Sequence, residues 1–241
     1  MRVIAHRGYS AVYPENTMTA FRKAVESGAD GIELDVHLSS DGEVMVIHDE
    51  SLKRTTGRDA HVSDLTRSEL EKTDAGFIKN GDYGFCPIPS LDEVLEYLST
   101  TNLLLNIELK TAPVYYPHIE EKTEALVRKH HMEAHVIHSS FYWLSVFKMK
   151  RIVPDGDFGL LIENPPIANL GWEMHDLDIL SYHPAYSLLS DRVVGEMHEC
   201  GRRINVWTVD DEEKIKKCID WGIEGLITND PVKARKVIQN A

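Results

Sequence analysis

The sequence predicts an α/β protein folded as a (β/α)8 TIM barrel, and three observations support this fold class. Short apolar runs alternate with stretches of helical period along most of the chain. Eight of these runs are candidate barrel strands, if the short run at residues 44–47 is the arm of a hairpin that lies above the sheet. The length of 241 residues suits a single barrel of about 200 to 250 residues. We therefore interpret residues 1–241 as one domain with a cap insertion at about residues 52–89.

The expected barrel strands are short and rich in apolar residues, and they cover residues 3–5, 31–35, 103–109, 135–139, 158–162, 179–182, 204–208 and 225–227. Six helices are expected between them, at residues 17–27, 90–99, 119–130, 141–151, 191–200 and 211–220. Asn16 or Thr17 would cap the start of the first helix, and Gly28 would end it.

The segment from residue 52 to residue 89 fits this alternation poorly. It is rich in Gly, Asp, Thr and Arg, and its apolar residues are scattered except near residues 65–70. Such a segment is too long for an ordinary connection. We expect an irregular cap or lid over one end of the barrel.

Charge and composition exclude several classes of function. The formal net charge of −13 and the pI near 5.3 argue against a nucleic-acid partner or binding to an anionic membrane. No leader and no membrane span is visible, so the expected location is cytoplasmic. The sequence gives no signal of oligomeric state. Cys86, Cys200 and Cys218 lack the spacing of a disulfide framework or a cysteine zinc site.

A hairpin around a Ser-Asp-Gly turn is the most informative local feature. Asp41-Gly42 is expected to fold strand 31–39 back onto strand 44–47, which would place His48 opposite Asp35. Because side chains alternate along a strand, Glu33 would share the face of Asp35. Two carboxylates and an imidazole would meet in a small volume, where burial without a compensating partner costs several kcal/mol. A cation is the expected compensator.

Glu33, Asp35 and Glu108 are the candidate metal ligands. All three lie at the carboxyl ends of expected strands, where barrels of this type place reactive residues. Their hard oxygen atoms suit one divalent cation, Mg or Ca, and leave positions for water or substrate oxygens. The alternative is that each carboxylate caps a helix or pairs with an arginine.

His6 and His48 are the candidate catalytic residues, because both lie at strand ends beside the carboxylates. Histidine titrates near neutrality, so such a pair can divide acid and base work. Most of the other histidines are interpreted as packed or solvated bystanders. His37 is a possible exception, as a further ligand or a partner behind the ligands, because it shares the face of Glu33 and Asp35.

Three further residues are candidates for binding substrate. Arg7 and Lys110 could neutralise a phosphate, although ion pairs with nearby acidic residues are the alternative. Trp207 offers an apolar wall for a small carbon skeleton, or is simply part of the core.

These residues resemble the glycerophosphodiester phosphodiesterases. The shared motifs occur in family order along nearly the whole chain, and they are His6-Arg7-Gly8, Pro14-Glu15-Asn16-Thr17, Glu33-Leu34-Asp35-Val36, Asp41-Gly42, His48-Asp49, Glu108-Leu109-Lys110, Val206-Trp207-Thr208-Val209, Gly225 and Ile227-Thr228-Asn229. One departure is Asp210, where the family often has asparagine, and we expect it only to start the following helix.

The resemblance implies a barrel of the phospholipase-C-like phosphodiesterase type, with a divalent ion on Glu33, Asp35 and Glu108. It also implies His6 and His48 as the catalytic pair, with Arg7 and Lys110 holding the phosphate of a small-molecule glycerophosphodiester substrate.

The expected reaction is metal-dependent hydrolysis of glycerophosphodiesters to sn-glycerol 3-phosphate and an alcohol. The attacker would be either the glycerol 2-hydroxyl or water. The alternatives are a lipid phosphodiesterase, such as a lysophospholipase D or a phosphoinositide phospholipase C, and a phosphoglycerol-binding module without catalysis. A lipid substrate would call for an apolar rim on the cap.

Overall fold

The computed structural model describes residues 1–77, 79, 83–112, 114–164 and 168–241. The strands in this part of the chain are β1 (Arg2–His6), β2 (Gly31–Leu38), β3 (Val44–Val46), β4 (Leu104–Leu109), β5 (Val136–Ser140), β6 (Asp157–Ile162), β7 (Ser181–Pro184), β8 (Arg203–Val206) and β9 (Gly225–Thr228). The helices are α1 (Met18–Glu26), α2 (Lys53–Thr56), α3 (Arg67–Leu70), α4 (Leu91–Leu98), α5 (Ile119–Lys129), α6 (Trp143–Ile152), α7 (Leu170–Asp176), α8 (Asp191–Glu199), α9 (Glu212–Asp220) and α10 (Pro231–Gln239).

Eight of the strands form a closed parallel barrel. Their order is β1-β9-β8-β7-β6-β5-β4-β2, and β1 pairs with β2 to close the ring. The ninth strand, β3, pairs antiparallel with β2 outside the ring. The predicted (β/α)8 TIM barrel is therefore confirmed, including the hairpin arm as an excursion.

Helix start signals in the sequence correspond to observed caps. The hydroxyl of Thr17 accepts a hydrogen bond from the Ala20 N–H at 3.2 Å, and Ser90 caps α4 in the same way. Asp230 precedes Pro231 at the first position of α10, which is a typical helix start. Helices α7 and α10 were not predicted, and the predicted strand at residues 179–182 begins two residues before β7.

The interior of the barrel contains buried polar side chains that the sequence analysis treated as bystanders. His183 on β7 is completely buried, and its Nε2 accepts a hydrogen bond from Asn205 at 2.8 Å. Burial lowers the pKa of His183 to about 3, so its imidazole is neutral. The ring fits against Gly159, where a Cβ atom would lie 2.5 Å from His183 Cε1.

The register of the hairpin differs from the prediction by one residue. Val36 pairs with Val46 and Leu38 with Val44, and the Ile47 N–H donates to the Asp35 carbonyl oxygen. Ile47 is therefore opposite Asp35, and the expectation that His48 occupies this position is wrong. The turn contains three residues because the Ser39 N–H donates to the Glu43 carbonyl oxygen. Its last residue is a left-handed glycine, a common arrangement in hairpin loops of this length.

The described residues of the segment 52–89 have little regular structure beyond α2, α3 and one short 3-10 turn. They contain a small apolar cluster of their own, formed with two residues of the hairpin arm, and its buried members are Met45, Ile47, Leu52, Val62, Leu65, Leu70, Ala75 and Ile88. Residues 78 and 80–82 of the predicted cap lie outside the described residues. The division into one domain with a cap insertion stays a prediction.

Within the described ranges, every helix is too short or too polar to cross a lipid bilayer.

Candidate active site

A cavity of about 290 Å³ opens at the carboxyl ends of the barrel strands. Strands β1, β2, β4, β6 and β8 or the residues directly after them supply most of its polar groups, and His48 comes from the hairpin arm beyond β3. The parallel arrangement thus brings distant parts of the chain to one rim. The lining residues are His6, Arg7, Glu33, His48, Asn106, Glu108, Lys110, Phe141, Leu161, Glu163, Trp207 and Ile227.

Three buried carboxylates converge on one side of this cavity. Glu33, Asp35 and Glu108 each offer an oxygen atom, and these atoms lie within 4.8 Å of one another. Burial, followed by repulsion from the neighbouring carboxylates, raises the pKa of Glu33 well above its ordinary value. Burial also raises the pKa of Glu108 to about 7, against the opposing attraction of Lys110. With all three carboxyls ionised, the cluster would carry more negative charge than its surroundings compensate, so without a cation the two glutamates tend to keep a proton.

Asp35 differs from the two glutamates because it has closer cationic partners. Burial opposes its ionisation, but Lys110 and Arg7 outweigh burial and hold the pKa of Asp35 below its ordinary value. Asn16 donates a hydrogen bond to Asp35 Oδ2 at 2.8 Å. Asp35 is therefore the permanently charged member of the cluster.

Arg7 and Lys110 line the cavity and also pair with carboxylates. Lys110 Nζ lies 2.6 Å from Glu108 Oε1 and 3.1 Å from Asp35 Oδ1. Arg7 reaches Glu15 at 3.0 Å and Asp35 at 3.5 Å. The ion pairs considered as an alternative are thus present. Both cations remain at the wall of the cavity, where a phosphate could reach them.

His6 is held at the end of β1 with one nitrogen facing the carboxylates. Its Nδ1 lies 2.7 Å from Asn229 Oδ1, and its Nε2 lies 3.9 Å from Glu33 Oε2. Burial and the neighbouring Arg7 lower the pKa of His6 to about 4. A neutral imidazole at this position can accept a proton.

The backbone after His6 turns sharply through two left-handed residues, Arg7 at φ 56° and Gly8 at φ 79°. A Cβ atom at Gly8 would lie 2.7 Å from the backbone carbon of Ala20, so only glycine fits here. This turn lets the Arg7 N–H donate to Glu33 Oε2 at 3.0 Å.

His48 lies just beyond the short strand β3 and is held by a chain of charged groups. Its Nδ1 is 2.5 Å from Asp49 Oδ1, and Arg54 donates to Asp49 and to Glu15 at 2.6 and 2.7 Å. Burial lowers the pKa of His48, although Asp35 opposes this change. The imidazole is less enclosed than that of His6, since its side chain is 30% exposed.

His37 stands behind His48 and does not face the carboxylates. Its two ring nitrogens contact the Tyr116 hydroxyl at 2.9 Å and the backbone oxygen of His48 at 3.0 Å. Both nitrogens are therefore occupied. Of the two roles considered for His37, a further metal ligand or a residue that supports the site from behind, its position fits the second.

The opposite wall of the cavity is largely apolar, although Glu163 after β6 also lines the cavity. Trp207 packs edge to face against Phe141 with ring centroids 5.5 Å apart, and its Nε1 donates to the His183 carbonyl oxygen at 2.8 Å. Leu161 and Ile227 complete this side. A small carbon skeleton would fit between this wall and the charged groups.

The donor set suits a divalent cation. Three buried oxygen donors meet with two pKa values raised by burial and repulsion, a condition that a hard cation relieves. Asn106 also lines the cavity, and both polar atoms of its buried side chain lack a partner among the described residues. These observations agree with Mg or Ca in preference to zinc.

All eight candidate residues named from the sequence lie in or at this cavity: His6, Arg7, Glu33, Asp35, His48, Glu108, Lys110 and Trp207. No role at the site was predicted for Glu15, Asn16, Asp49 or Asn229, although all four belong to the motifs of the resemblance. The expectation that Asp210 only starts a helix is wrong. Asp211 caps α9, whereas the Asp210 carboxylate binds Asn229.

Comparison with known proteins agrees with this geometry. The model of the glycerophosphoryl diester phosphodiesterase family matches residues 6–233. A glycerophosphodiester phosphodiesterase of Caldanaerobacter subterraneus subsp. tengcongensis is 40% identical over 95% of this chain and 94% of its own length. A protein of the same name from Bacillus altitudinis is 37% identical over 98% of this chain and 97% of its own.

Solved structures show the same likeness. A phosphodiesterase of Oleispira antarctica, in complex with the product sn-glycerol-3-phosphate, superposes with a TM-score of 0.88 at 29% identity, covering 99% of this chain and 97% of its own. A glycerophosphodiester phosphodiesterase of Thermotoga maritima superposes with a TM-score of 0.80 at 33% identity, covering 98% of each chain.

Proposed function

The chain belongs to the glycerophosphoryl diester phosphodiesterase family, and from that premise we propose that it hydrolyses glycerophosphodiesters to sn-glycerol 3-phosphate and an alcohol. The observation that carries this proposal is the meeting of three buried carboxylates with two histidines and two cations around one cavity. The apolar wall opposite them suits the glycerol carbons.

Glu33, Asp35 and Glu108 would hold one divalent cation, Mg or Ca. When bound, the ion supplies positive charge that stabilises the developing charge on the phosphoryl oxygens. Arg7 would contribute a planar fork of donors to those oxygens, and Lys110 a point charge. Preorganised charges of this kind usually account for much of the reduction in the barrier.

His6 and His48 would divide the proton transfers. The Nε2 atom of His6 faces the cluster and is unprotonated near neutral pH, so His6 would accept the proton of the attacking hydroxyl. Burial lowers the pKa of His48, but the Asp49 carboxylate, 2.5 Å from its Nδ1 atom, favours the imidazolium and would hold that form when the ring carries a proton. His48 would therefore donate a proton to the leaving alkoxide.

The proposal is tested by incubating the purified protein with glycerophosphocholine and measuring released sn-glycerol 3-phosphate. We expect release that a chelator abolishes and that Mg²⁺ or Ca²⁺ restores. Activity that ignores the chelator contradicts the metal requirement. Tight binding of a glycerophosphodiester without any release favours the alternative of a binding module, and release only from lysophospholipids favours a lipid phosphodiesterase.

Two substitutions test the histidine roles, with a surface histidine as the control. His6→Ala and His48→Ala should each lower turnover by about 10² to 10⁴, the usual contribution of a positioned acid or base. His175→Ala should leave it unchanged, because that side chain is 55% exposed on α7. Full turnover in either active-site variant refutes the assignment.

A cytoplasmic location is part of the same proposal. Its support is that Cys86, Cys200 and Cys218 are all unpaired thiols, as is usual in a reducing compartment. Cell fractionation tests it.

A further inference from the structure

Asp210 lies outside the cavity, but its carboxylate determines how the Asn229 amide faces His6. Asp210 Oδ1 accepts hydrogen bonds from the Asn229 backbone N–H and the Thr228 hydroxyl, both at 2.8 Å. Asp210 Oδ2 accepts from Asn229 Nδ2 at 2.6 Å. Because a carboxylate has only acceptor sites, the Asn229 amide must present its NH₂ group to Asp210.

The directions of these hydrogen bonds are consistent with one another. A backbone N–H can only donate, so Asp210 Oδ1 is an acceptor. The Thr228 oxygen itself accepts from the Asp230 N–H at 3.2 Å, which leaves its own proton for Asp210. The carboxylate therefore binds three donors and fixes the side chain of Asn229.

The other end of the Asn229 amide is consequently an acceptor. Its Oδ1 lies 2.7 Å from His6 Nδ1 and 2.9 Å from the Ser10 hydroxyl oxygen. An imidazole nitrogen facing a carbonyl oxygen must carry the proton. His6 is thus held with its proton on Nδ1 and its lone pair on Nε2, the nitrogen that faces Glu33.

We propose that Asp210 and Asn229 are positioning residues that set the tautomer of His6 and so prepare its Nε2 atom as a proton acceptor. Neither residue touches the cavity, and both act through the histidine. The catalytic part of this proposal rests on the proposed function. The tautomer itself does not, since it can be measured in the protein without substrate.

The Asp210→Asn substitution should reverse the arrangement while keeping the shape of the side chain. The new amide can keep its oxygen toward the Asn229 N–H, but its NH₂ group then faces Asn229 Nδ2 across 2.6 Å. Turning the Asn229 amide over relieves the clash between these two donors. Its NH₂ group would then face His6 Nδ1, and the proton would move to Nε2.

The first measurement is the tautomer of His6, read from two-bond ¹H–¹⁵N correlation spectra of labelled protein and assigned by comparison with His6→Ala. We expect the proton on Nδ1 in the natural protein and on Nε2 in Asp210→Asn. The second measurement is steady-state hydrolysis of glycerophosphocholine. The kcat of Asp210→Asn should fall on the order of 10²-fold, as for loss of a general base, and KM should change by no more than about threefold.

Combining Asp210→Asn with Asn229→Asp tests the polarity of the pair. In the double variant the amide at position 210 donates to the carboxylate at position 229, and that carboxylate accepts from His6 Nδ1. The Nδ1 proton and the kcat should both return, to within about threefold of the natural protein. Asp211→Asn is the matched control, because the same change one residue along leaves an adequate cap on α9.

Three results would overturn the proposal: a natural protein with its His6 proton on Nε2, an Asp210→Asn variant with unchanged tautomer and kcat, or a double variant as slow as the single one. If the natural protein showed the Nδ1 proton but no hydrolysis, the proposed function would fail and the positioning of His6 would stand.

Discussion

Lys110→Met removes the cation that lies nearest to the carboxylate cluster. The lysine ammonium is 2.6 Å from Glu108 and 3.1 Å from Asp35, and its side chain is only 13% exposed. Breaking a buried ion pair by deleting one partner costs about 3 to 5 kcal/mol. We expect the lower end, about 3 kcal/mol of unfolding free energy, because Glu108 can take up a proton in place of the lost charge.

The assay is urea unfolding at pH 7, followed by tryptophan fluorescence, in chelator and in excess Ca²⁺ or Mg²⁺. The loss should be largest in chelator. It should shrink when the ion is present, because a bound cation replaces part of the missing positive charge and stabilises the folded state by mass action. Lys129→Met is the matched control, because its ion pair with Asp92 is largely solvated.

Two outcomes would refute this reasoning. A Lys110→Met protein as stable as the natural one in chelator would show that the cluster is not short of positive charge. A loss that is the same with and without divalent ions would show that no cation binds at these carboxylates.

Two further predictions concern the barrel core and pH. Gly159→Ala should lower the unfolding free energy by about 1 to 3 kcal/mol through overpacking, because the added carbon meets His183 at 2.5 Å. The control is Gly195→Ala on α8, where the added carbon has open space and should stabilise the protein by up to about 1 kcal/mol. A change of the same sign in both variants would contradict the packing argument. Burial raises the pKa of Glu108 to about 7, so the metal-free fold keeps a proton at pH values where the unfolded chain has lost it. The free energy of unfolding should therefore fall as the pH rises from the ordinary glutamate pKa of the unfolded chain through 7. Metal affinity should rise over the same pH range, because binding releases the Glu108 proton. Calorimetry in buffers of different ionisation enthalpy measures this release. A metal affinity that does not depend on pH would contradict the prediction.

Local patterns were sufficient for the fold class and for most of the cavity. Strand alternation and the handedness of β-α units are properties of short segments, so the barrel and its reactive rim follow from them. Polar residues at strand ends, such as Glu33, Glu108 and His6, could accordingly be placed at one rim before any coordinates. The start of α10 was also visible in the sequence, at Asp230-Pro231, although it was not used.

The sequence by itself determined which residue types gather at the mouth of the barrel, because their positions depend only on strand ends. Tertiary structure decided which atom each of them faces. Asn229 meets His6 across 223 positions of sequence, and a single extra turn residue placed Ile47 instead of His48 opposite Asp35. Contacts of this kind depend on barrel closure and on strand register, which no short window of sequence specifies.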